Sequence, residues 1–155
     1  MIRRAVQPPP PPYLQPGGAM PVPGNLASPG LRVVGGLIDV VILLILGGLL
    51  DLVTHDNRFT TGLVGLLVWV AYFTYFWSQR GESIGMMVFG FRVRDAASGR
   101  YPGVAQAAVR GLVWSLEVVP CTFCLIGILA WAWMFWDPRR QALHDKITGT
   151  IVTAS

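Results

Sequence analysis

The sequence predicts an all-α integral membrane protein. The expected fold is a small multi-pass bundle, two transmembrane helices plus a proline-broken helical hairpin, with a short β-hairpin-like segment on the cytoplasmic side. Three observations lead there. Hydrophobic residues make up 53% of the 155 and charged residues only 13%, whereas a soluble domain carries about a quarter. Mean hydropathy is +0.53. The apolar residues also gather into runs of near-bilayer length. A chain so poor in charge has too little polar surface to face water everywhere, so lipid is its expected solvent.

Residues 1–30 stand apart. They hold nine of the twelve prolines, clustered and without period. Proline removes helix hydrogen bonds and favours extended backbone, so a disordered, Pro-rich cytoplasmic tail is expected. It does not read as a secretory signal, because the first apolar run begins only after it. Its PPPY stretch (Pro10 to Tyr13) is open to two readings, a ligand for a proline-recognition domain or a solvated spacer.

The membrane domain is expected over 31–152. Val33 to Leu50 is 18 residues with one charge, about 27 Å as a helix. Thr61 to Trp77 is 17 residues with none, about 25 Å. Both approach the ~30 Å of a bilayer core. A soluble protein burying both runs on all sides would need a much longer chain. The third apolar block, Val104 to Trp136, is 33 residues and about 50 Å as one helix. Pro120 falls inside it and breaks or kinks it. A hairpin of helices 104–119 and 121–136 is preferred, with one long kinked helix as the alternative.

Lys and Arg positions orient the chain. Arg3, Arg4 and Arg32 flank the first run; five arginines lie between Ser78 and Arg110; Arg139, Arg140 and Lys146 follow the last run; the first loop has only Arg58. The tail, the middle segment and the C-terminus are therefore placed on the cytoplasmic side of the membrane, with the first loop outside. Within the middle segment, Phe89 to Asp95 alternates apolar residues with Gly90, Arg92 and Arg94, a strand period. GTIVT (Gly149 to Thr153) is its candidate partner.

The charges inside the runs carry the functional question. Arg32 and Asp39 are seven residues apart, which returns both to nearly one helix face. A carboxylate at bilayer depth costs about 2.5–3.5 kcal/mol, so Asp39 is expected to face the bundle interior, where Gly35-Gly36 and Gly47-Gly48 allow close helix approach. VRGLVWSLE repeats the spacing with Arg110 and Glu117. Internal duplication, as in transporters, and chance both account for that. Either acid serves as an ion-responsive carboxylate or as a pairing group that fixes helix register.

These segments, with the closing QALHDKITGTIV, resemble the RDD family of bacterial membrane proteins, named for one arginine and two aspartates. The resemblance runs from about Leu31 to Val152. It places the arginine on Arg32, the first aspartate on Asp39 and the second on Asp145. GESIGMMVFGFRVRD (Gly81 to Asp95) is similar too, its G-x-[ST]-x-G turn leading into a strand, as is AQAAVRG around Arg110. Met86 departs from the pattern, standing where family members often carry lysine. The resemblance implies a multi-pass protein for which transport has been proposed, with neither a defined substrate nor a settled catalytic role.

Other chemistry is thinly represented. PCTFC contains a C-x-x-C (Cys121, Cys124), read as buried packing because apolar surroundings disfavour the reactive thiolate. Two cysteines, or His144-Asp145 with distant His55, are too few for a metal. No Ser/His/Asp set, Walker loop or dinucleotide fingerprint occurs, so no enzyme activity and no cofactor are expected. The net charge of +4 belongs at an anionic lipid surface, not on nucleic acid. Trp77 and Trp136 are expected as interfacial belt residues and Trp69 as packing. The expected partners are the bilayer, an ion or small solute, and further copies of the chain, since four short helices enclose little space. A non-transporting accessory protein, binding a partner through its Pro-rich tail or basic face, is the alternative.

Overall fold

The computed structural model describes residues 24–55, 62–118 and 124–154, with side chains from 127 in the last stretch. The Pro-rich stretch to residue 23, Arg58, Pro120 and Cys121 lie outside the described residues, as does the side chain of Cys124. Helix α1 is Pro29–Thr54, α2 Leu63–Gln79, and α3 the single turn Ile84–Met87. Strand β1 is Phe91–Asp95. Then come α4 Val104–Val118, α5 Cys124–Ala132 with a 3-10 turn Trp133–Phe135, α6 Leu143–Thr148 and strand β2 Thr150–Ala154.

Helix α1 is longer than its apolar core suggested. Pro29 opens it, where a missing amide costs nothing, and His55 closes it in the left-handed region at φ 53°. Its 26 residues reach about 39 Å. Among the described residues it is the one helix long and apolar enough to cross a bilayer; α2, at 17 residues, is shorter. The arrangement of α1 is inverted relative to a soluble helix. Arg32, Gly35, Gly36, Asp39, Leu43 and Gly47 form its buried face. Leucines and valines point away from the protein, with Leu37 58% and Leu52 70% exposed. Water would not tolerate that much outward apolar surface, and lipid does.

The core is aromatic. Phe73 of α2 stacks on Trp77 at 4.5 Å and meets Trp114 of α4 at 4.3 Å, while Trp69 lies 6.0 Å from Trp114. Gly111 lets α4 come this close, since a side chain there would press on Phe73. Trp69 is packing, as its sequence position implied. Trp77 is not a belt residue: it is buried, with the Arg110 guanidinium 3.9 Å over its ring. Trp136 is 77% exposed.

The expected strand pair forms. β1 and β2 are antiparallel, with Val93 opposite Val152 and Asp95 opposite Thr150. Gly149, left-handed at φ +63°, turns α6 into β2. On the other edge of β2 the chain before α1 adds a bridge at Leu26, through Ala27 N to Val152 O and Ala154 N to Asn25 O. Residues 25–27, 91–95 and 150–154 therefore share one layer. The third apolar block is a hairpin in which α4 and α5 pack together. Its described arms are 15 and nine residues, or about 22 and 14 Å.

Candidate functional site

Two buried clusters hold the singled-out residues. The first centres on Asp145, the third residue of α6, whose carboxylate reaches back to the Ala142 amide at 3.0 Å as an N3 acid does. Arg32 Nη2 donates to Oδ2 at 2.5 Å, and Arg110 Nη2 donates to Oδ1 at 2.6 Å. Thr150 Oγ1 adds a longer contact to Oδ1. Arg32 also donates through Nη1 to the Arg140 carbonyl. Two helices entering from the same end thus deliver one guanidinium each to a carboxylate that is fully buried. Burial alone would push that carboxyl up, yet the Arg32 and Arg110 charges hold it well below the usual carboxylate range.

Charge-assisted bonds of this kind stabilise only when every partner is in place. Arg110 meets the condition by its cation–π contact with Trp77 and its bonds to Asp145, although its Nη1 has no hydrogen-bond partner among the described residues.

The second cluster answers why Asp39 sits in an apolar helix. Ser83 Oγ donates to its Oδ2 at 2.5 Å; Tyr72 Oη and the Gly85 amide donate to its Oδ1, each at 2.8 Å. Tyr72 Oη in turn accepts from the Ile84 amide at 3.2 Å. Asp39 is 2% exposed and grips the turn of the G-x-[ST]-x-G motif. The grip depends on contact between backbones: a Cβ on Gly85 would overlap the Gly35 carbonyl. Met86, in place of the family's lysine, is buried among apolar neighbours of the core.

The two arginine–acid pairs therefore separate. Arg32 and Arg110 converge on Asp145, whereas Asp39 goes to Ser83 and Gly85, and Glu117 goes to His144. His144 Nδ1 lies 2.8 Å from Glu117 Oε2, and its Nε2 lies 3.8 Å from Asp145 Oδ1. Three titratable groups thus run in a line from Asp145 towards α5. Glu117 Oε1 is buried without a hydrogen-bond partner among the described residues. Beside it α1, α4 and α5 leave a groove of about 450 Å³, lined by Glu117, Gly36, Trp114, Trp131, Ile128 and Phe135 among others.

Sequence reasoning expected Asp39 to face the bundle interior, with Arg32 at the edge of the same helix face, and offered Arg32, Arg110, Arg139 or Arg140 as the partner of Asp145 at the inner membrane face; Arg32 and Arg110 are the two found on it. It missed Tyr72, Ser83 and His144 as partners. Ser83 was legible within the glycine motif, but nothing in the sequence tied that motif to Asp39. His144 was set aside for want of further metal ligands, and no metal-holding group of His, Cys, Asp and Glu occurs among the described residues.

Comparison with known proteins bears on this geometry. A proline-rich antigen of Mycobacterium leprae is 36% identical over 85 residues, 55% of this chain and 31% of that protein. An uncharacterized protein of Rickettsia prowazekii is 32% identical over 90 residues, 58% of this chain and 46% of that protein. A proline-rich antigen homolog of Mycobacterium tuberculosis is 32% identical over 92 residues, 59% of this chain and 35% of that protein. The chain spans less than half the length of these curated relatives. No solved structure matches. The RDD family pattern covers residues 26–149, from the Leu26 bridge to the Gly149 turn and so through both buried clusters: the chain belongs to the RDD family.

Proposed function

We propose that this chain is a multi-pass protein of the bacterial cytoplasmic membrane that carries an ion or small solute in exchange with protons. The observation that carries the reading is the line Asp145–His144–Glu117, whose last residue has a buried carboxylate oxygen without a partner among the described residues and lines a groove between helices. Ionisable groups kept at membrane depth mark ion pathways and proton relays. Imidazole is the side chain suited to pass a proton near neutral pH. With His144 neutral, Arg32 and Arg110 balance Asp145 and Glu117. One proton more or less on the line then changes the net charge of the buried cluster.

Topology supports it as well. Pairing of residues 25–27, β1 and β2 in one layer supports a topology with the N-terminal flank, the middle segment and the C-terminus on the same side. Arginines crowd that side, which is the cytoplasmic one by the positive-inside rule. α1 and α2 cross, and the short α4–α5 hairpin dips in and returns. Copies of the chain share the pathway that one small bundle does not enclose.

Reconstitution into vesicles with an internal pH-sensitive dye tests the reading. Imposed gradients of a panel of ions and solutes should move protons with the wild type and not with Glu117→Gln. Wild-type flux at the level of empty vesicles removes the idea.

A second reading, a non-transporting accessory protein, draws on Asp39, both of whose oxygens are occupied by protein donors. In that case Asp39→Asn lowers assembly, and neither it nor Glu117→Gln changes any flux.

A further inference from the structure

We infer that the groove between α1, α4 and α5 is a binding site for a lipophilic monocation, a bulky aromatic or alkyl body carrying one positive charge. The inference rests on the transport reading only for its consequence; the site itself is argued from geometry. The Glu117 side chain is 7% exposed, and its Oε2 is taken by His144. Its Oε1 has no partner among the described residues, and Glu117 is the one charged residue lining the groove. The remaining lining is apolar or aromatic. A buried carboxylate oxygen without a donor is costly, and a cation relieves that cost.

The walls favour the same chemistry. Trp114 and Trp131 stand at 65° to one another with centroids 5.9 Å apart, and both line the groove with Phe135. Aromatic faces attract a diffuse cation and pack its apolar body. A small hydrated ion would gain little here, because the described lining side chains other than Glu117 are apolar or aromatic and do not replace its water. Gly36 lets the Trp131 wall close onto α1, since a Cβ there would come within 2.6 Å of the Trp131 ring. The rim opens sideways: Leu37 and Ile128 are 58% and 63% exposed on the apolar outer surface. A ligand dissolved in the membrane enters without crossing water. Occupancy puts a positive charge beside the carboxylate that His144 Nδ1 contacts at 2.8 Å, which couples the groove to the line that the transport reading uses.

Tetraphenylphosphonium is a suitable probe because its charge is permanent and its four rings fit aromatic walls. Binding is followed by equilibrium dialysis on the full chain in lipid nanodiscs. The wild type should bind saturably, and Glu117→Gln about tenfold or more weakly. Tetraphenylborate, of the same shape and opposite charge, should show no dependence on residue 117. Ile128→Trp fills the groove from its exposed rim, leaves Glu117 untouched, and should also abolish binding. Equal binding of the phosphonium to wild type and Glu117→Gln, or full binding to Ile128→Trp, overturns the site. Glu117-dependent binding in a protein that moves no protons upholds the site and removes the transport reading. Glu117-dependent proton movement without phosphonium binding does the reverse.

Discussion

The Ser83 hydroxyl donates to Asp39 Oδ2 at 2.5 Å, joining residues 44 positions apart in the chain. With the Gly85 amide and Tyr72 Oη on the other oxygen, this bond makes the carboxylate of α1 the receptor for the turn that precedes β1. Asp39 thereby fixes where the strand layer meets the bundle. The carboxylate is tolerated in an apolar helix because its hydrogen-bond capacity is met by the protein itself.

Breaking this junction has a graded outcome. Ser83→Ala removes one donor from a buried carboxylate and should cost about 1–3 kcal/mol. Gly85→Ala should cost more, because its methyl group forces α3 away from the Gly35 backbone and loosens all the donors together. Thermal unfolding in detergent, followed by tryptophan fluorescence, should rank wild type above Ser83→Ala and that variant above Gly85→Ala. A Gly85→Ala protein as stable as wild type would show that the backbones are not held in contact.

The Asp145 cluster predicts a different order. Asp145→Asn leaves two buried guanidiniums without the carboxylate that joins them, and should cost about 3–5 kcal/mol. Arg110→Met is milder: Arg32 still neutralises Asp145, and a methionine side chain still covers Trp77. The same unfolding measurement decides it. Equal losses for the two substitutions would mean that Arg32 and Arg110 do not share one acid.

Much of this was legible in sequence. Eighteen residues with one charge fixed the body of α1, and alternation in FRVRD fixed β1, because both periods follow directly from backbone geometry. Arg32 and Asp39 were placed on one face correctly, but a shared face does not choose partners. Seven residues is two turns, about 10 Å, so each side chain meets a different element. The Arg110–Trp77 contact was hidden for a similar reason. A tryptophan at the end of an apolar run reads as an interfacial anchor unless the cation above it is known to arrive from another helix.

Acid should weaken the strand layer and the α6 turn beside it. Burial is the largest single effect and raises the Asp145 and Asp137 carboxyls, but the lowering effects together outweigh it: Arg32 and Arg110 at Asp145, and Lys146 with the Gln141 and Arg139 amides at Asp137. A carboxyl depressed in the folded state stabilises it above the ordinary value of 3.8. That stabilisation is lost as pH falls below this value towards the folded one. Unfolding temperatures should be level between about pH 5 and 7 and drop below about pH 4. Asp137→Asn should make that drop shallower, and an unchanged slope would exclude its part in it.

The sheet layer makes the membrane topology testable with three single cysteines. Thr54 ends α1, Arg100 follows β1, and Pro138 follows the hairpin; all three positions are exposed. With Cys121 and Cys124 replaced by serine, Thr54→Cys should react with a membrane-impermeant maleimide in intact cells. Arg100→Cys and Pro138→Cys should react only after permeabilisation. The two must agree, because β2 pairs with β1 shortly after Pro138 and no bilayer fits between paired strands. If Pro138→Cys reacts in intact cells while Arg100→Cys does not, the α4–α5 segment is a single kinked crossing and the β1–β2 pairing does not exist in the membrane.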